Sequence, residues 1–284
     1  MYDPQAKGPH AVDVETVEVE DAKRGRRIPL ETWSPRDVEH PPLVIYSHFS
    51  NGHRLAATFL CSHLAAHGYL VAAAEHWEVV ARDDLPKERA ARIETVIANR
   101  VPDIRLLMDR FGRDAVGLAG HSLGGWTVLA TPEVDDRPAS IVAMGAGGSE
   151  NPRPGILPVK LTFKWRHPVP ALFIAAEDDV PIPLEGLRET FARAPEPKRL
   201  VVLRRADHQH FLDDVEGMHE AVRRASFPEE AVWIPAAMRP MAELMPGEEA
   251  NRLVRGLVLA HFDATLRGLE VAREFLDAAG PYAG

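Results

Sequence analysis

Near the middle of the chain, Gly120-His121-Ser122-Leu123-Gly124 gives the spacing G-x-S-x-G. These residues follow the apolar run 115–119 and lead into Gly-Trp-Thr-Val-Leu-Ala at 125–130. Ser122 is therefore expected on a sharp turn between a strand and a helix, its hydroxyl raised at the carboxyl end of a sheet. Small neighbours are needed because the backbones must approach closely in such a turn. A serine hydroxyl is a poor nucleophile at neutral pH and needs a base, itself oriented by a third group. Both are available later in the chain, each just past an apolar run. After 171–177 come Asp179, preferred as the acid, and Asp178, its alternative; after 199–205 come His208 and the rival base His210. Spacing alone does not separate these pairs. The chemistry of the set is acyl transfer, in which serine attacks a carbonyl, histidine takes the proton and aspartate fixes the imidazole tautomer.

Such a reaction also needs backbone N–H groups aimed at the developing oxyanion, each worth about 3–4 kcal/mol. Leu123, directly after the serine, is one candidate. The other belongs to the loop after the third strand, where the chain reads Ser47-His48-Phe49-Ser50-Asn51-Gly52-His53-Arg54.

Groups so far apart in sequence meet only if strands deliver them to one rim. Apolar runs at 42–48, 69–76, 115–121, 140–146, 171–177 and 199–205 alternate with helix-period segments, the pattern of a mostly parallel sheet with helices on both faces. Residues 14–21 and 27–35 alternate apolar and polar instead, as an antiparallel hairpin at a sheet edge would. Helices are expected over 54–67, closed by Gly68, over 87–111, split at Pro102, and as one long element over 248–277. Two stretches, about 148–169 and 226–248, are rich in proline and large apolar residues without a period, and are expected as lid insertions in a single domain spanning 1–284.

Composition narrows the function further. The 284 residues are 45% apolar and 26% charged, ample for a globular core, and the formal charge of −9 argues against a nucleic-acid footprint. No apolar run approaches the roughly 18 residues of a membrane span. Cys61 is the lone cysteine and the first ten residues lack a signal-peptide pattern, so a reducing cytoplasm is the expected location. A small-molecule ester is the expected partner; a homo-oligomer is left open.

Taken together, the 47–54 loop, Leu-Ala-Ala-His-Gly-Tyr-Leu-Val-Ala-Ala-Ala-Glu-His-Trp-Glu at 64–78, Gly-His-Ser-Leu-Gly-Gly-Trp at 120–126 and Ala-Asp-His-Gln-His-Phe-Leu-Asp-Asp at 206–214 resemble the serine-dependent α/β-hydrolases related to platelet-activating-factor acetylhydrolases and dienelactone-hydrolase-like esterases. The resemblance runs over about residues 27–214. It implies an α/β-hydrolase fold, with Ser122 as nucleophile, Asp179 as acid, His208 as base and Ser50 as second oxyanion donor, and it gives His76 a counterpart after the fourth strand. The family usually has glycine after the histidine where this chain has Phe49, so Phe49 is either the donor itself or a ring that narrows the acyl pocket. Dienelactone hydrolases proper use a cysteine nucleophile, which favours ester over lactone cleavage here. The implied activity is hydrolysis of a carboxylic ester through an acyl-enzyme, without a cofactor. The alternatives are a binding protein on the same fold, or an amidase or peptidase using the same groups.

The substrate pocket is expected around His48, His76, Trp77 and His121, with Phe227, Trp233, Met238, Met241 and Met245 from the second insertion offering an apolar wall unless they simply pack on the last helix. His63 and His67 share a helix face, but no glutamate or carboxylate cluster joins them, so no metal site is assigned. Cys61, mid-helix among apolar neighbours, reads as structural.

Overall fold

The computed structural model describes residues 2–280 and 282–283. Its centre is one nine-stranded sheet in the order β1-β2-β4-β3-β5-β6-β7-β8-β9. The strands are β1 (Val12–Asp21), β2 (Arg26–Pro35), β3 (Leu43–Ser47), β4 (Leu70–Ala74), β5 (Val116–His121), β6 (Pro138–Met144), β7 (Ala171–Ala176), β8 (Lys198–Leu203) and the two-residue β9 (Tyr282–Ala283). The first two form the expected hairpin, paired Val12 with Pro35 through Asp21 with Arg26. β2 also pairs antiparallel with β4, and from β4 onward every pairing is parallel.

Nine α-helices accompany the strands among the described residues: α1 (Thr58–Ala66), α2 (Trp77–Val80), α3 (Arg89–Phe111), α4 (Leu123–Ala130), α5 (Leu184–Arg193), α6 (Val215–Arg224), α7 (Trp233–Ala237), α8 (Gly247–Leu266) and α9 (Glu270–Ala279). Alternate residues of a strand face opposite sides of its sheet. Ile45, Leu118, Ile141 and Phe173 accordingly pack with α3, α4 and α5, while Tyr46, Ala119, Val142 and Ile174 pack with α1, α8 and α9. Both faces are covered, which is why these strands read as continuous apolar runs.

Two helix expectations are corrected. α3 passes through Pro102 unbroken. An interior proline costs about 3 kcal/mol, but burial of Val96, Ile104, Leu107 and Met108, at roughly 1.5–3 kcal/mol for each large apolar side chain, outweighs it. The element expected over 248–277 is two helices, because Gly268 takes φ +70° just after α8 and turns the chain. Between β6 and β7 the chain is irregular, whereas 226–248 holds α7 and short 3₁₀ turns.

Candidate active site

β5 delivers Ser122 to the middle of the sheet's carboxyl rim, at the N-terminus of α4. Ser122 adopts φ 58° and ψ −117°, a region that non-glycine residues avoid and that is found where a sharp turn holds one side chain out. The flanking glycines are required by space. A Cβ on Gly120 would lie 2.3 Å from Gly124 O, and one on Gly124 would lie 2.0 Å from Ser47 O. The turn is held by the Ser122 N–H donating to Met144 O at 2.9 Å.

Two later loops reach the same point. His208, five residues beyond β8, has Nε2 at 2.9 Å from Ser122 Oγ and Nδ1 at 2.7 Å from Asp179 Oδ2. Asp179, three residues beyond β7, accepts the Ile182 N–H at 2.7 Å on its other oxygen. With Nδ1–H donated to Asp179, Nε2 is left as the acceptor for the serine hydroxyl. Burial pushes the Asp179 carboxyl above its usual range against the pull of His208. Burial alone would lower the His208 imidazole, but attraction and hydrogen bonding to Asp179 outweigh it and hold it above its ordinary value. The two residues that spacing left as rivals lie elsewhere. Asp178 pairs with Arg239 at 3.1 Å, and His210 is fully buried between Asp207 Oδ1 (2.7 Å) and Met245 O (2.9 Å).

Ser50 and Leu123 line the same cleft as Ser122, a space of about 290 Å³ walled by Ile156, Leu157, Val159, Ile182 and Phe227. It continues past Gly147, Ile156 and Ile182 into a second space of about 330 Å³ along the start of α5. The amides of Phe49, Ser50 and Leu123 donate to no protein acceptor among the described residues. Phe49 does not need glycine's freedom: the left-handed conformation falls on Asn51, at φ 55°. The Phe49 ring does not line the cleft; it lies against His121 (centroids 5.7 Å apart) and beside Gly52.

Much of the expected pocket lies behind the cleft. His48, His76 and His121 are fully buried. His48 bonds Phe49 O, and His76 bridges Ser47 Oγ at 2.8 Å and Asp103 at 3.0 Å. His121 packs its ring at 4.6 Å from that of His208. Trp77, half-buried against the core, lies under the Arg26 guanidinium. Histidine between an apolar strand and a turn is thus spent on internal hydrogen bonds and packing. Trp233 ties the two insertions together by donating to Pro154 O at 3.0 Å, while Met238 is buried with Ile234 beside a recess of only about 10 Å³ near His208. Phe227 is the residue of the second insertion that reaches the cleft. The walls from the first insertion were missed as pocket residues, although Ile156-Leu157-Pro158-Val159 stands out there as an apolar patch.

Residues 30–91 match the sequence profile of the family described as platelet-activating factor acetylhydrolase, isoform II. The platelet-activating factor acetylhydrolase of Bos taurus is 25% identical over 228 residues, covering 63% of this chain and 49% of the relative. That of Canis lupus familiaris is 24% identical with the same coverage. The chain thus spans about half the length of the curated relatives it matches. Among solved structures, a ferulic acid esterase from Streptomyces cinnamoneus superposes with a TM-score of 0.68 at 19% identity, covering 91% of each chain. A putative dienelactone hydrolase from Klebsiella pneumoniae subsp. pneumoniae gives 0.52 at 18% identity, over 78% of this chain and 94% of that one.

Proposed function

We propose that this chain, which has the α/β-hydrolase fold, is a serine hydrolase that cleaves a carboxylic ester. The observation that carries the reading is the unbroken line from Ser122 Oγ through His208 to Asp179, at 2.9 and 2.7 Å, on the rim of a cleft with an apolar wall. The names of the similar proteins, an acetylhydrolase and an esterase, support the bond type.

In this mechanism His208 Nε2 takes the hydroxyl proton as Ser122 Oγ bonds to the carbonyl carbon, and the carbonyl oxygen becomes an oxyanion held by the N–H groups of Leu123 and Ser50. Collapse breaks the bond to the alkoxy oxygen, which leaves with the proton from His208, and the acyl group stays on Ser122. Water then gives a proton to the same nitrogen and attacks the acyl carbon; the proton returns to Ser122 as the acid departs. Asp179 keeps the imidazole in the required tautomer and balances its charge in between. The insertions at 148–169 and 226–248 act as the lid, the acyl group lying against Ile156, Leu157, Ile182 and Phe227. No helix among the described residues is long and apolar enough to cross a membrane.

The test is turnover of short-chain p-nitrophenyl esters together with labelling by a fluorophosphonate. Ser122→Ala is expected to lose the label and at least about 10³-fold of the activity with an unchanged melting temperature. Full retention of both would overturn the reading.

A further inference from the structure

The turn that carries Ser50 is gripped from behind by a buried cation. Arg100 of α3 is fully buried and donates from Nη1 to His48 O at 2.5 Å and from Nη2 to Phe49 O at 3.0 Å. Nη2 is also paired with Glu78 Oε1 on α2, itself 1% exposed. The Gly52 N–H reaches Phe49 O as well, at 3.0 Å, and the His76 N–H donates to His48 Nε2 at 3.2 Å. Two successive carbonyls thus point at α3.

In a planar trans peptide the C=O and N–H point in opposite directions. Fixing His48 O and Phe49 O on one guanidinium therefore turns the amides of Phe49 and Ser50 away from α3, and Ser50 lies in the cleft beside Ser122. A cation on the carbonyl oxygen also polarises the peptide and strengthens its N–H as a donor. An interior ion pair is a costly way to fill space, since apolar side chains of similar volume often do as well or better. This one leaves Arg100 Nε and Glu78 Oε2 without hydrogen-bond partners. What it supplies that an apolar pair would not is a two-pronged hold on one turn.

We propose that Arg100, anchored by Glu78, is a positioning residue for the oxyanion site: it sets the direction and donor strength of the Ser50 and Phe49 amides. This rests on the ester-hydrolase reading above. Lysine, a single point charge, cannot reproduce the fork, and Glu78→Gln keeps the shape while removing the counter-charge. For Arg100→Lys and Glu78→Gln, kcat is expected to fall about 10- to 100-fold with KM within about threefold, as for loss of part of an oxyanion donor. Affinity for a trifluoromethyl ketone, which forms the tetrahedral adduct, should fall by the same factor as kcat; a merely loosened fold would not link the two. Amide hydrogen exchange over residues 47–54 should quicken about tenfold or more as the turn opens locally.

The two variants are independent, so a misfolded one leaves the other to decide. Wild-type turnover with variants matching it in kcat and analogue affinity would overturn the proposal, as would unchanged exchange in the turn. A wild type that neither turns over esters nor takes the fluorophosphonate, with exchange still quickened in the variants, would sink the ester reading and leave the grip on the turn standing.

Discussion

At the scale of single residues, the site depends on which of two adjacent aspartates faces inward. Asp178 and Asp179 share one turn, and only a tertiary partner separates them: Arg239 draws Asp178 outward, while Asp179 is buried against His208. Sequence supplies residue type and order, so G-x-S-x-G and the later aspartate and histidine that meet Ser122 were legible in it. It does not supply burial, so His48, His76 and His121 look like pocket residues in the sequence although their rings serve the interior. The distinction predicts unequal effects. Asp179→Asn should lower kcat by about 10⁴-fold through the wrong imidazole tautomer. Asp178→Asn, losing a partly exposed ion pair, should stay within about threefold of wild type. The pH profile follows from the same contact. The base must be neutral, and Asp179 holds the His208 imidazole above its ordinary value, so kcat/KM should fall on acidification about tenfold per pH unit, with a midpoint above the usual ~6.5. A midpoint below that value, with Asp179 intact, would contradict the assignment.

At the scale of elements, the strands were the most readable part because a sheet covered on both faces leaves continuous apolar runs. Helix ends were less so. Pro102 looks like a terminus locally, yet tertiary burial carries α3 through it, and the break between α8 and α9 depends on Gly268 taking φ +70°. α5 and α6 leave only a short signal, Leu184, Leu187 and Phe191 in one and Val215, Met218 and Val222 in the other recurring at helical spacing over ten residues. The elbow between β5 and α4 makes a sharper prediction, because the same substitution should have opposite signs at two glycines. A Cβ on Gly124 would meet the Ser47 backbone at 2.0 Å, where only a shift of β3 or α4 gives relief, so Gly124→Ala should destabilise by roughly 3 kcal/mol or more. It should also cost turnover, since Ser47 leads into the turn holding Ser50. A Cβ on Gly186, inside α5, would meet Ser149 at an ordinary 3.5 Å; Gly186→Ala should stabilise by about 0.5–1 kcal/mol. Urea unfolding of both variants checks the pair. Equal effects would mean that close approach at the elbow is not what the glycine provides.

At the scale of the whole molecule, the buried histidines tie stability to pH. His63 sits under the N-terminal segment, its Nε2 2.9 Å from Pro4 O, and burial pushes it down to about 4. His261, in the C-terminal half of α8, is pushed down to about 4, again mainly by burial. Burial also lowers His48, His76 and His121. Each such ring must be neutral in the folded state, whereas in the unfolded chain it takes a proton near its ordinary ~6.5. Between those values the unfolded state binds more protons, so stability is present above about pH 6.5 and is lost as the pH falls toward 4. His208 has the opposite sign, its raised value favouring the folded state below its own midpoint, and so have the buried carboxyls of Asp103, pushed up to about 6, Glu78 and Asp179, which offset part of the histidine loss. For His63 and His261 the loss between pH 7 and pH 5 is about 2 kcal/mol each. That is a large part of a typical margin of 5–15 kcal/mol. Carboxylates held low by their partners, such as Asp207 and Asp21, give way only below their ordinary ~4, so the loss above that pH belongs to the histidines. Urea titrations at pH 7 and pH 5 should show it, and His261→Gln, whatever it does at pH 7, should shrink the difference between the two by about 2 kcal/mol. If the difference were the same in the variant as in the wild type, the acid sensitivity would have to come from elsewhere in the molecule.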